Sequence, residues 1–333
     1  MKKISYIVSR IFEMDYSSFF KTIKKVKEKS KKNSLFIFFD MVVCMICYGS
    51  GYNDYYCFGM YDLNHEQRKT ILTRGKNNTY VAMLNPKEYW HFYDNKNEFN
   101  TMYNDYLKRK WLYLKDSSLE EFKKWLDNTK EFIAKPNNDS GGHGIEKISV
   151  SDFNNLEEVY SYLIDKELFL LEELVVQHKT LSKIYAGSVN TLRIITILRD
   201  EKVYFVTTFL RIGNHGFVDN SCSGGMLTMV DMETGVTLYP ACDFELNVFE
   251  RHPVTNTKIE GIKIPFFKES KDLCETLAKD FTKLKYIAWD VAITENGPVI
   301  IEGNPYPGYY YQFPIHCPNK VGALPIFKDI LGK

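Results

Sequence analysis

The chain has 333 residues, room for roughly two or three packed units around a substantial core. Hydrophobic residues make up 44% and charged residues 26%, as in ordinary soluble globular proteins, and a net charge of +1 gives no global field to draw nucleic acid. Seven scattered cysteines argue against a disulfide framework and for a reducing, cytoplasmic setting.

The first apolar run comes too late for a secretory signal and lacks a small-residue cleavage site. Seven lysines and one glutamate fall between Lys21 and Lys32. They read either as a solvated helix face or as a weak electrostatic contact with an anionic membrane surface, at the inner face of the membrane. The run "LFIFFDMVVCMICY", Leu35 to Tyr48, is 14 residues long with Asp40 inside. Spanning a bilayer takes about 20 apolar residues, so a buried core helix is expected, with Cys44 and Cys47 as buried thiols.

Farther along, "TYVAMLN" has strand character and "EFNTMYNDYLKRKWL" helical character. Ser118 and Glu121 form a capping-box pattern ahead of a helix. A strand "EFIAKP" leads into a glycine loop and "IEKISV", then a helix "NLEEVYSYLID" and the apolar "LFLLEELVV". The strands "TLRIITIL" and "KVYFVTTFLRIG" meet at Asp200 and Glu201, and "GMLTMVDMETG" adds another. A helix from Glu269 to Lys283 precedes "WDVAITENGPVIIEGN". The order implies an α+β protein.

Four segments carry chemistry. In Tyr286–Thr294 the odd positions Ile287, Trp289, Val291 and Ile293 are apolar and face a core, leaving Asp290 on a face of small or polar residues. Val299 and Ile301 share one face of the next strand; Ile300, Glu302 and Asn304 share the other. A three-residue turn "ENG", with Thr294 opposite Pro298, places Asp290 opposite Glu302. Two like charges there repel unless compensated. With Asn304 they suit Mg²⁺ or Mn²⁺; a slipped register would instead leave one acid in solvent.

Lys135 ends a strand before a loop containing Gly141, Gly142 and Gly144, which suits phosphate oxygens or is a plain hairpin turn. In "LLEELVVQH", Glu172 and Glu173 mark either a strand end with solvated acids or a site whose following backbone pairs with an adenine ring. Arg193 begins an otherwise apolar face with Ile195 and Ile197 and needs an anionic partner, with Asn190 near the strand mouth.

Together, from Lys96 to Gly308, these segments resemble the ATP-grasp superfamily. "SVNTLRIITI", "GFVDNSCSGG" and "AWDVAITENGPVIIEGNPYPG" resemble its sugar-transfer-associated branch. The resemblance implies two α+β subdomains clasping ATP: a helical region over 1–95, a lid subdomain over 96–185 and a core subdomain over 186–333. It implies that Lys96 and Lys135 bind ATP phosphates under a lid of Ser140, Gly141, Gly142, His143 and Gly144. Glu172, Glu173, Leu174 and Val175 would form the adenine hinge. The family's ribose-holding acid is missing, and Gln177, His178 and Ser182 stand in its place. Asp290, Glu302 and Asn304 would hold Mg²⁺ (or Mn²⁺), and Arg193 would face the transferred phosphate. Asn190, Arg211, Asp219, Asn220, Gly224 and Gly225 fall to the acceptor side.

The implied activity is an ADP-forming carboxylate–amine ligase for small, sugar-linked substrates in surface polysaccharide assembly, such as amidation of a uronic acid by an amino acid. The same nucleotide site also suits a phosphotransferase. A non-catalytic nucleotide-binding scaffold at the membrane is the third reading. Neither an H-R-D…N loop nor D-F-G is present, which argues against a protein kinase.

Overall fold

A computed structural model of the chain describes residues 15–137, 144–214, 216, 219 and 224–332. Two compact units result, one of Met1–Met83, Phe244–Asn247 and Gly308–Lys333, the other of Leu84–Asp243 and Val248–Pro307.

In the first unit, α1 (Tyr16–Ser30) starts at Asp15, whose carboxylate accepts from Ser18 N at 3.1 Å; α2 (Ser34–Tyr48) starts at Asn33 and ends at Gly49. α2 is not buried all round. Ile37, Met41, Cys44 and Tyr48 fall on one helical face and are buried, whereas Leu35, Phe36, Phe39, Val43 and Ile46 are exposed. Cys44 is accordingly buried, its thiol pushed up to about 12 by desolvation, while Cys47 is exposed. The six described cysteines are all free thiols. A carboxylate hub closes the unit: buried Asp54 accepts from Gly51 N (2.9 Å), Arg74 N (2.8 Å) and the Tyr309 hydroxyl (3.0 Å). The C-terminal stretch is thereby tied to residues near the start of the chain.

The second unit holds two antiparallel sheets. Short helical turns at Lys87–Tyr89 and His91–Asp94 lead into α3 (Lys96–Met102). β1 (Trp111–Tyr113) follows, then α4 (Leu119–Trp125), β2 (Glu131–Lys135), β3 (Glu146–Ser149), α5 (Leu156–Asp165) and β4 (Leu170–Glu173). These strands make a sheet in the order β1-β4-β2-β3. Phe132, Ala134, Ile148 and Leu171 on it pack against Phe122 of α4 and Val159 and Leu163 of α5. Ser118 and Glu121 form the expected capping box on α4.

After α6 (Lys179–Ser182) come β5 (Thr191–Arg199), β6 (Lys202–Ile212), β7 (Met226–Met229), β8 (Ala241–Cys242) and β9 (Val248–Phe249). Helix α7 (Phe267–Asp280) then leads into β10 (Tyr286–Thr294) and β11 (Gly297–Asn304). The strand order is β11-β10-β5-β6-β7-β8-β9. Ile287, Trp289, Val291 and Ile293 do face the core, beside Leu192, Ile194 and Leu210, packed on Cys274, Leu277 and Ala278 of α7. The opposite face of β10 is left for Asp290.

Two segments differ from expectation. "TYVAMLN" lies in the helix Arg74–Leu84 and its end, because Asn77 and Val81, one turn apart, provide a buried face. Asn85 at its close instead takes the N–H groups of Lys285 and Tyr286, both at 2.9 Å, anchoring the start of β10. The helix expected over 98–112 stops at Leu107, where Lys108 turns left-handed (φ 48°), and Trp111–Tyr113 becomes a strand.

The β10–β11 hairpin places Asp290 opposite Glu302, as the pairing argument required, but by another route. The turn holds two residues, not three, since Thr294 pairs with Gly297. A bulge between the Asp290 and Val291 pairs then absorbs Ile301 and restores the register at Glu302. Ile300 consequently joins the core with Val291, not the face of Glu302 and Asn304.

Gly303, between those two site residues, backs onto an aromatic cluster: a Cβ there would lie 2.6 Å from the Tyr93 ring. Gly303→Ala is therefore expected to lower the unfolding free energy by about 1–3 kcal/mol in a urea titration, the usual cost of overpacking. An unchanged midpoint would show that Tyr93 moves aside freely.

Candidate active site

Cross-strand pairing aligns Glu302 of β11, Asp290 of β10 and Arg193 of β5 in one row. Residues opposite one another in a sheet point to the same face, so the row sets a carboxylate between a guanidinium and a second carboxylate. Arg193 donates through Nε to Asp290 Oδ1 at 2.6 Å and through Nη2 to Oδ2. Arg211 of β6 donates Nη1 to the same Oδ2 at 2.6 Å, and its Nη2 lies 3.1 Å from Asp219 Oδ1. Asp219 also accepts from Thr191 N at 3.0 Å. The anionic partner that the sequence demanded for Arg193 is Asp290.

Charge decides the state of each group. Burial alone would raise the Asp290 carboxyl, but Arg193 and Arg211 outweigh it and hold it down at about 2. Burial and then the Asp290 charge push the Glu302 carboxyl above its ordinary value, against the two arginines. The Glu302 side chain keeps 43% of its surface, so we give the Asp290 charge the greater part of that rise. Burial works against the Arg211 charge, yet Asp219 and Asp290 raise its pKa further and keep it cationic.

A hard cation fits this set in part. Asn304 donates its Nδ2 to Ala288 O (3.4 Å) and Glu302 Oε1 (3.3 Å), which leaves its amide oxygen as an acceptor. Glu302 is reachable from solvent. Asp290 already receives three charge-assisted hydrogen bonds, so it would share a cation with its arginines. Among the described residues no group of three His, Cys, Asp or Glu side chains could hold a metal, so the donor set is two carboxylates and an amide. That suits Mg²⁺ arriving with phosphate and water ligands.

The second cluster lies on the four-stranded sheet. Glu172 is 4% exposed and points inward, accepting from Lys135 Nζ (2.6 Å), Arg109 Nη2 (3.0 Å) and Asn100 Nδ2 (2.9 Å). Burial would raise its carboxyl, but Arg109 and Lys135 hold it well below the usual carboxylate range. Glu173, its neighbour, faces out and takes Lys110 N at 3.1 Å. Leu174 and Val175 are partly exposed just past the strand. Lys96 opens α3, and its Nζ reaches Pro136 O at 3.3 Å, one residue before the described stretch ends at Asn137.

Arg109 was missed in the sequence. It joins the two sheets, donating Nη1 to Ile300 O at 2.6 Å, at the bulge that orients Glu302. The available signal was indirect: a glutamate as apolar in its setting as Glu172 must have more than one cationic partner.

Several sequence candidates are structural hubs. Asn190 is fully buried and donates its amide to Gln177 Oε1 (2.9 Å) and Tyr185 O (2.8 Å), while its oxygen takes Gly213 N at 3.1 Å. Gln177 donates to Tyr185 O and Ser188 O. Their amide hydrogens are thus committed within the protein, and both position the mouth of β5. His178 caps α6 through Thr180 N at 3.0 Å and sits 3.4 Å from Glu295; Ser182 bonds Gln177 O at 3.4 Å. Gly224 and Gly144 adopt positive φ (86° and 66°), and Gly225 is buried. Ser140, Gly141, Gly142, His143 and Asn220 lie outside the described residues.

Glu172→Gln would leave Lys135 and Arg109 buried without their counter-charge, costing about 3–5 kcal/mol near neutral pH. Because the folded carboxyl is depressed, its contribution is complete above the reference value of 4.5 and fades as pH falls below it. Urea titrations should show the wild-type advantage shrinking from neutral pH towards about 3. A gap independent of pH would contradict the ion-pair origin.

No curated protein matches the sequence. Among solved structures, the chain is similar to D-alanyl-alanine synthetase A from Vibrio cholerae at 16% identity and a TM-score of 0.43, covering 72% of this chain and 64% of that one. It is similar to D-alanine–D-alanine ligase from Helicobacter pylori at 15% identity and a TM-score of 0.40, covering 77% and 68%. For the D-cycloserine synthetase DcsG the figures are 9% and 0.44, covering 74% and 72%. The chain thus spans under two thirds of the length of the Vibrio synthetase. The profile of the family described as sugar-transfer associated ATP-grasp matches residues 75–325, well over half of the chain. This chain belongs to the sugar-transfer associated ATP-grasp family and has its α+β fold.

Proposed function

We propose that this protein is an ATP-dependent, ADP-forming ligase that joins a carboxylate to an amine. The observation that carries the reading is the row Arg193–Asp290–Glu302, with Arg211 beside it, on one sheet face that is buried at Asp290 and reaches solvent at Glu302. Two guanidiniums and two carboxylates there meet the needs of phosphoryl transfer: cations for the developing charge and oxygens for Mg²⁺.

In this reading Asp290, Glu302 and Asn304 hold the metal, which neutralises phosphate charge when bound. Lys135 and Lys96 bind phosphate oxygens, and Leu174 and Val175 offer backbone groups to the base. The substrate carboxylate attacks the γ-phosphorus, and the bond to the bridging oxygen breaks, releasing ADP. The amine then attacks the acyl carbon, loses a proton, and phosphate leaves as the amide forms. Arg193, held rigid by its paired bonds to Asp290, keeps a positive charge beside the transferred group. Excluding water protects the acyl phosphate.

The family's description by sugar transfer supports a sugar-linked acid or amine, such as a uronic acid amidated by an amino acid in surface glycoconjugate assembly. The same reading keeps a helical region over 1–95, a lid subdomain over 96–185 and a core subdomain over 186–333; what supports it is that the strands of the smaller sheet all fall in 96–185 and those of the larger sheet in 186–333.

Hydroxylamine trapping tests the ligase. An acid substrate should give ATP-dependent hydroxamate together with ADP. ADP release without hydroxamate, with phosphate found on a hydroxyl, would make the protein a phosphotransferase instead. Glu302→Ala and Arg193→Ala are each expected to lower ADP release by roughly 10²-fold or more. Full biological function with Glu302→Ala would point to a non-catalytic scaffold.

A further inference from the structure

We propose that α1 and α2 form a docking face for an anionic lipid bilayer. On α2, Leu35 (65% exposed), Phe36, Phe39, Val43 and Ile46 make a stripe along the helix that contains no charged residue. A 15-residue helix spans about 22 Å at 1.5 Å per residue, short of the ~30 Å hydrocarbon layer. Among the described residues no helix is long and apolar enough to cross a membrane. Such a stripe can lie in an interface but not traverse it.

Helix α1 extends the same surface. Phe20 is 58% exposed, and its ring meets Phe19 at 5.7 Å; Phe19 meets Phe38 at 5.8 Å, and Phe38 meets Phe39 at 5.4 Å. This aromatic chain passes through buried Phe19 and packs the two helices together, with exposed Phe20 and Phe39 at its two ends. At helical spacing, Tyr16, Phe20, Lys24 and Lys27 share one side of α1, apolar at its start and cationic towards its end.

The lysines divide by role. Lys25 pairs with Glu245 at 2.6 Å, Lys29 reaches Leu246 O at 3.3 Å, and Lys32 pairs with Asp62. Those three are held within their own unit. Lys24 and Lys27, on the side of Phe20, are exposed and form no ion pair among the described residues. An apolar stripe flanked by unpaired cations is complementary to acyl chains beneath anionic headgroups, which decides for a bilayer over a second copy of this cationic face.

This inference stands apart from the ligase reading, since none of these residues belongs to the candidate active site. Vesicle co-sedimentation of the full chain tests it, using phosphatidylcholine with and without phosphatidylglycerol. Binding is expected only with phosphatidylglycerol, and should weaken as salt rises. Lys24→Gln with Lys27→Gln should reduce partitioning roughly fivefold per lysine. Phe39→Ser with Ile46→Ser should abolish it while leaving the thermal midpoint and ADP release unchanged, because both side chains are exposed. Absence of binding, or binding that survives Phe39→Ser with Ile46→Ser, would overturn the proposal. So would a lipid-free dimer that this variant dissociates, or binding that appears only after residues 1–14 are removed. In those cases the face is covered by another copy or by the chain's own beginning.

Discussion

The arrangement depends on keeping Asp290 ionised inside a sheet. A buried carboxylate is costly without compensation, and here the compensation comes from two guanidiniums on two other strands. Arg193 meets it from the adjacent strand and Arg211 from the next one over. Order in β5, β6 and β10 is therefore a condition for the acid to stay charged. The charged acid in turn disfavours a second negative charge at Glu302, leaving that carboxyl receptive to a cation or a proton.

Glu172 repeats the solution on the smaller sheet. It too is buried, and it too is satisfied by cations from different segments, Lys135 on β2 and Arg109 ahead of β1. Each sheet is thus centred on one buried acid. Arg109 belongs to both, because its other donor ends on the bulged strand that carries Glu302. Removing either acid would strand cations, whereas an isosteric apolar replacement of a whole cluster would leave a packed but chemically idle fold.

Much of this was legible. The alternation in Tyr286–Thr294 gave the core face and the polar face because a strand's period is two, and Arg193's need for an anionic partner was legible too, but that Asp290 is this partner comes from the β5–β10 pairing, which no residue pattern announced. The route to Glu302 was not legible. Turn length and bulge were each off by one residue and offset one another, since a bulge is fixed by contacts such as Arg109 with Ile300 rather than by the residues that form it. Arg109 itself was hidden: it lies in a stretch with helical periodicity, and its partners are 63 and 191 positions away. The stripe on α2 was misjudged for a related reason. An all-apolar helix reads as buried, yet only the side bearing Ile37, Met41 and Cys44 finds a neighbour.

Arg109 holds the bulge by main-chain oxygens, those of Ile300 and, at 3.5 Å, Ile301. Every amino acid supplies such an oxygen. The side chains at 300 and 301 can therefore drift, within the limits of core packing, without releasing the grip that aims Glu302. Position 109 has no such latitude, because a lysine has neither the fork nor the reach to serve a carboxylate and a carbonyl at once. The constancy of the acid's aim is thereby lodged in a residue that never has to meet the substrate.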